Sequence, residues 1–126
     1  MSKELTLTVI SPDKILYQGK AESVILPGAV GYFGILPGHA TLVSQLDFGL
    51  IKLHTSGKEF RIAIDGGFCE VRNDQIRVLT EGGDSEDDLS HDHAVELLEE
   101  AEALPVSKDK EILLKKAKVR ILLHER

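Results

Sequence analysis

The residues of this 126-residue chain best equipped for chemistry are its histidines, one cysteine and a dense run of acids. His91 and His93 sit among Asp84, Glu86, Asp87, Asp88 and Asp92, a donor mixture that suits a divalent metal. Histidines at i and i+2 reach one ion from a strand or loop, but on a helix they diverge by about 200° and cannot share it. The run also lacks the glycine and terminal glutamate spacing of a calcium loop. His39 follows Pro37 and Gly38 with no serine, cysteine or carboxylate in its motif to form a nucleophile–base pair. That leaves a general base or a hydrogen-bonded structural histidine, with catalysis the poorer reading. Cys69 lies between Phe68 and Val71 in an apolar pattern, with no adjacent His or Lys to lower its pKa, and reads as a packing residue. One cysteine excludes an internal disulfide and a Cys-based zinc site within one chain. No phosphate loop, nucleophile elbow or His-Glu-x-x-His motif is present. The expectation is no catalytic residue, no metal and no cofactor. A small metal-dependent enzyme using the histidines is the reading that metal analysis tests.

The elements that must carry these residues change character along the chain. Up to residue 80, short apolar runs alternate with turn residues. Leu5, Leu7 and Val9 alternate with Thr6 and Thr8, and further strands are predicted at 15–17, 23–26, 41–46, 50–54, 59–64, 68–72 and 75–80. Ser56-Gly57, Asp65-Gly66-Gly67 and Asn73-Asp74 read as turns between them. Phe60, Ile62 and Ile64 alternate with Arg61, Ala63 and Asp65, which predicts one buried and one partly wet face. Many short strands at this spacing argue for an antiparallel β-sandwich or flattened barrel. The period then changes. Ala94, Leu97, Leu98 and Ala101 form a helical stripe, with Ser90 or Asp88 as N-cap, and Pro105 ends it. Ser107 can cap a second helix with Leu113, Leu114, Ala117 and Ile121 on one face, and Ile112, Val119 and Leu123 on another. The predicted organisation is a β-domain over 1–84 and an antiparallel two-helix hairpin over 85–126, hinged near 82–86.

Charge follows the same division. Residues 81–106 carry ten acids and no Lys or Arg, whereas 107–126 carry seven basic and three acidic groups, within a net charge of −6. This predicts two helices of opposite charge that attract along their length. The basic stretch is short and has no aromatics for stacking, which argues against nucleic-acid binding. The start, Met-Ser-Lys-Glu-Leu-Thr, is not that of a signal peptide, and no apolar run reaches membrane-span length. A soluble chain is expected, held at a membrane only by other proteins.

Residues Gly31–Val43 read Gly-Tyr-Phe-Gly-Ile-Leu-Pro-Gly-His-Ala-Thr-Leu-Val, and taken alone suggest a pair of tight turns. Together with Gly66-Gly67-Phe68-Cys69-Glu70-Val71 and the two-helix tail, this run resembles the epsilon subunit family of F-type ATP synthases over essentially the whole chain. The resemblance implies a non-catalytic rotor subunit on the cytoplasmic face of the bacterial membrane. Its β-sandwich would be clamped to the gamma subunit, next to the c-ring. The hairpin would be an arm able to reach the alpha/beta head and restrain ATP hydrolysis. By position, Ser11, Pro37, Gly38, His39 and Ser44 correspond to residues facing gamma, and Val30, Gly31 and Tyr32 to the loop touching the c-ring. Lys115, Lys116, Lys118 and Arg120 would form the basic side of the arm. Thr41 stands where relatives often have proline, and Val30 and Tyr32 where acids are common, so a more apolar ring contact is implied. Some relatives grip ATP with Ile or Leu-Asp-x-x-Arg-Ala; here Leu89, Ser90, His93 and Ala94 occupy the defining positions, without the carboxylate and the guanidinium. Weak ATP binding is expected. Phe33, Ile35 and Leu36 are expected to form an exposed apolar patch that gamma covers. A free-standing sandwich adaptor that binds another partner through the hairpin is the alternative, and copurification with gamma separates the two.

Overall fold

A computed structural model describes residues 4–39 and 41–125; Met1–Lys3, Arg126 and Ala40 of the Pro-Gly-His-Ala motif lie outside the described residues. The strands are β1 (Leu5–Ile10), β2 (Ile15–Ala21), β3 (Ser23–Gly28), β4 (Gly31–Ile35), β5 (Leu42–Thr55), β6 (Lys58–Arg72), β7 (Gln75–Leu79) and β8 (Gly83–Ser85). Helices α1 (His91–Glu102) and α2 (Lys108–Ile121) follow, with a 3-10 turn at Leu122–His124. The strands pair in the order β2-β1-β7-β6-β5-β3-β4, with β8 added to β6. Among the described residues only β1 and β7 run parallel; the other pairs are antiparallel. The sheet is not closed, so of the two expected architectures the molecule is the sandwich.

Two strands were each expected as a pair of short ones. β5 runs without interruption through 47–49, and β6 runs through Asp65-Gly66-Gly67. The glycines adopt φ values of 78° and 126°, and they kink the strand instead of ending it. Up to the kink Ile62 and Ile64 point into the main core, and beyond it Cys69 and Val71 do. The inward set thus moves from even to odd positions. β5 changes in step: Leu46 and Leu42 face inward on one side of the kink, Ile51 and Leu53 on the other, while the Cα partners stay in one register. The pair therefore crosses from one layer of the sandwich to the other. The expected turns Ser56-Gly57 and Asn73-Asp74 do form, with positive φ at all four residues.

The Gly31–Ile35 run is a strand, paired along β3 from Gly28–Gly31 to Val24–Ile35, and not a second turn. Ile35 is fully buried in the core, so the expected exposed patch of Phe33, Ile35 and Leu36 does not exist; only Leu36 is substantially exposed, at 63%. The expected wet face of β6 is also corrected. Ala63 and Asp65 are buried because the hairpin covers them, forming a second core of Leu50, Ala63, Leu89, Ala94 and Leu123.

Both helix starts follow their sequence signals. Ser90 Oγ accepts from the His93 amide at 3.1 Å, and Ser107 Oγ accepts from the Lys110 amide at 3.1 Å. The 82–86 segment is not a loose hinge: β8 pairs with β6, and the Glu86 amide donates to the Arg61 carbonyl at 3.0 Å.

Candidate functional site

The hairpin covers the outer face of one layer and leaves the other open. On the open side, Ile10 lies beside Leu79, and Leu79 beside Phe68, in a row across β1, β7 and β6. These side chains are 38%, 58% and 57% exposed, and Val43 on β5 is 72% exposed. The next row sets Arg77 against Glu70, and Glu70 against Val43. The result is a contiguous exposed apolar patch with one base, Arg77, and one acid, Glu70, in the adjoining row. The sequence carried a signal for it: Phe68 and Leu79 fall on the face opposite Cys69 and Val78, which are buried.

The residues expected to face a partner surround this surface unevenly. His39 is exposed, on a loop held by two bonds: its amide donates to the Leu36 carbonyl at 3.1 Å, and the Gly38 amide to Asp74 Oδ1 at 2.7 Å. Pro37 is half-buried in that loop. Ser11 is largely buried and closes the β1–β2 turn, its amide and hydroxyl both donating to the Lys14 carbonyl. Ser44 is half-buried on the inward side of β5, with its hydroxyl donating to the Gln45 carbonyl at 3.3 Å; Val43 and Gln45 are the outward neighbours. Val30 is fully exposed at a turn tip, and Gly31 follows with φ 133°. Tyr32 is anchored at one end, its hydroxyl accepting from the Leu50 amide at 3.1 Å. Val30, Gly31 and Tyr32 share one shallow depression with Val43 and Ser44, so this loop adjoins the open face.

On the hairpin, Leu89 and Ala94 are buried in the second core and Ser90 is engaged as the N-cap. His91 and His93 are exposed in the first turn of α1, and among the described residues no group of three His, Cys, Asp or Glu is placed to hold a metal. Cys69 is buried, and burial pushes its thiol pKa up. Lys115 lies with its ammonium 5.8 Å from the Phe48 ring centroid, Lys116 is half-buried, and Lys118 is exposed.

Arg120 departs from its expected place. It is 7% exposed and donates from Nη1 and Nη2 to the two Asp65 oxygens, at 2.8 and 2.9 Å, and from Nε to Asp84 Oδ2 at 2.7 Å. Burial works against its charge, but hydrogen bonds and charge from Asp65 and then Asp84 outweigh it and raise its pKa. Arg120 is therefore not on the exposed basic side of α2. Nor do the helices zip together by charge: among the described residues no cation of α2 forms an ion pair with an α1 carboxylate, although Lys110 Nζ donates to the Glu102 carbonyl at 3.0 Å.

An open-sheet sandwich with an exposed apolar face on one side and a docked helical pair on the other defines the class: a β-sandwich carrying a C-terminal helical hairpin. Residues 4–83 match the family described as ATP synthase, Delta/Epsilon chain, beta-sandwich domain. The ATP synthase epsilon chain of Leptospira interrogans is 41% identical over 125 residues, covering 99% of this chain and 98% of its own. That of Desulforamulus reducens is 35% identical over 121 residues, covering 96% and 92%. That of Prochlorococcus marinus is 44% identical over 99 residues, covering 79% and 74%. The chain belongs to the ATP synthase epsilon chain family. The fold is also found in a chain of the Euglena gracilis mitochondrial ATP synthase OSCP/F1/c-ring structure, with a TM-score of 0.75 at 24% identity over 92% of this chain and 78% of that one. A chain of the Tetrahymena thermophila central stalk/c-ring structure matches with a TM-score of 0.61 at 11% identity, over 97% and 94%.

Proposed function

We propose that this chain works as a rotor subunit of the central stalk, joining the gamma subunit through the open face and the c-ring through the Val30–Gly31–Tyr32 loop. The observation that carries this reading is the row Ile10–Leu79–Phe68 with Val43, left uncovered on the side away from the hairpin. Burying a side chain of this size is worth roughly 1.5–3 kcal/mol, so a row of them gives a partner a firm hold. Solved assemblies with a chain of this fold are titled as F1/c-ring and central stalk/c-ring structures, which supports the choice of partners. No helix among the described residues is long and apolar enough to cross a membrane. As a stalk subunit the chain would meet the membrane through the complex, on its cytoplasmic face in a bacterium. The hairpin serves as the arm that restrains ATP hydrolysis, with Lys115, Lys116 and Lys118 as its exposed or half-exposed basic residues in the docked state.

The test is copurification with gamma. Phe68→Asp and Leu79→Asp should abolish capture while leaving the fold intact, and Lys118→Gln should not. Undiminished capture by a folded Phe68→Asp/Leu79→Asp double variant overturns the docking face. Weak ATP binding follows from Ser90 serving as a cap and from His93 lacking a guanidinium's fixed charge. Calorimetry at neutral pH should give no tight binding to the isolated chain.

A further inference from the structure

We propose that Arg120, with Asp65 and Asp84, is the latch that keeps the hairpin on the sandwich. This rests on the reading of the hairpin as a movable arm. The three residues come from three elements, the cation from α2 and the carboxylates from β6 and β8. Four hydrogen bonds occupy the guanidinium: two to Asp65, one to Asp84, and one from Nη1 to the Lys116 carbonyl at 3.0 Å.

The sheet is built to hold the carboxylates. The Asp65 amide donates to the Gly82 carbonyl at 2.9 Å, and a Cβ at Gly82 would stand 2.9 Å from Asp65 Oδ2. The glycine therefore makes room for the carboxylate. At Gly83 a Cβ would collide with the Ala63 carbonyl, so the second glycine lets β8, which carries Asp84, lie against β6. The Gly82-Gly83 pair thus has a use that no catalytic or turn role supplies.

The larger buried side chains of the second core, Leu89 and Leu123, flank the two helices, and the helices themselves bury small ones. α1 buries only Ala94 and Ala101, and α2 only Ala117 beside Arg120. Alanines and a few larger neighbours do little to choose one register of helix on sheet, whereas a bidentate guanidinium allows a single position. Lys14 Nζ lies 3.6 Å from Asp84 Oδ1, but among the described residues Arg120 is the cation paired with Asp65. Without Arg120 an unpaired carboxylate is trapped under α2, and lifting the helix is the way to hydrate it. A second arginine works in reverse. Arg61 Nη1 on β6 donates to the Leu122 and Glu125 carbonyls and holds the end of the hairpin from the sheet side.

The latch also changes the arm's inventory. Docked, Arg120 is consumed by the sheet; only on opening would its charge be free for a partner.

The experiment is amide hydrogen exchange, read by mass spectrometry, on the full chain and its variants. Arg120→Gln should speed exchange in 91–121 at least tenfold while strands β1–β7 keep their protection. Lys118→Gln, with the same charge change, should leave both unchanged. Asp65→Asn/Arg120→Gln should exchange more slowly in the hairpin than Arg120→Gln alone, because the stranded charge has gone. Hairpin exchange in Arg120→Gln at the wild-type rate overturns the proposal, as does a double variant no slower than the single. Loss of protection throughout the sheet in both Arg120→Gln and Arg120→Lys also overturns it, since the residue would then serve folding as a whole. If these shifts appear but hydrolysis by the reconstituted enzyme does not respond, the latch stands and the inhibitory arm falls.

Discussion

At Gly67 the chain tolerates no side chain. A Cβ there would collide with the Leu79 carbonyl, and the backbone sits at φ 126°. Backbone strain of this kind costs about 1–3 kcal/mol before the clash is counted. Gly67→Ala should therefore lower the urea midpoint sharply, with a loss of at least about 2 kcal/mol. A loss below half that would mean the kink can relax. Ile35 and Leu36 are neighbours with opposite fates. Ile35→Asp places a charge in the main core and should give insoluble or unfolded chain, whereas Leu36→Asp, at a 63% exposed position, should leave circular dichroism and the melting temperature nearly unchanged. At Cys69, burial raises the thiol pKa, so less thiolate is present at any given pH than at an exposed cysteine. Alkylation at pH 8 should be negligible in the native chain and complete in denaturant.

Among the elements, the helices owe their starts to two serines and their docking to the sheet. Ser107→Ala should destabilise the hairpin by about 1 kcal/mol, seen as earlier loss of helical signal on heating. The opposite charges of α1 and α2 suggested an electrostatic zipper, but the ion pairs of α2 run to the sheet. A mostly buried latch is poorly screened by salt. Raising salt to about 1 M, where the Debye length is about 3 Å, should leave exchange protection of α1 and α2 within twofold. A salt-induced opening would restore the zipper.

On the scale of the whole molecule, the two sides of the sandwich have different coverings, and the boundary between its parts follows from that. Deletion from residue 85 would cut β8, which ends at Ser85. Ending the chain after Glu86 preserves the β6–β8 pairing but exposes Leu50, Ala63 and Asp65. That truncated chain should bind gamma as well as the full chain does, because the open face lies elsewhere, and should release ATP hydrolysis in the reconstituted enzyme. Equal hydrolysis with and without 87–126 would make the hairpin a structural cover only.

Short-range rules were enough for the Ser107 cap, the start of α1 at Ser90 or Asp88, the turns at 56–57 and 73–74, and the change from strands to helices near residue 85. Each depends on neighbours within a few positions, so the sequence holds the whole cause. Membership of the epsilon family was legible too, through the spacing of glycines, proline and histidine. What the sequence alone did not decide was which of two possible faces is covered. Asp65-Gly66-Gly67 has turn chemistry, yet its partner strand β5 runs past it, and pairing over the full length makes it a kink. Ile35 and Leu36 are both apolar, and only the pairing of β4 with β3 sends one inward and leaves the other in water. Arg120 belongs by sequence to a basic helix face. Its role comes from acids 36 and 55 positions earlier, brought beneath α2 by strands that the helix itself does not touch in sequence. Long-range pairing decides such cases because burial and ion pairing are properties of two surfaces, and one stretch of chain specifies only one of them.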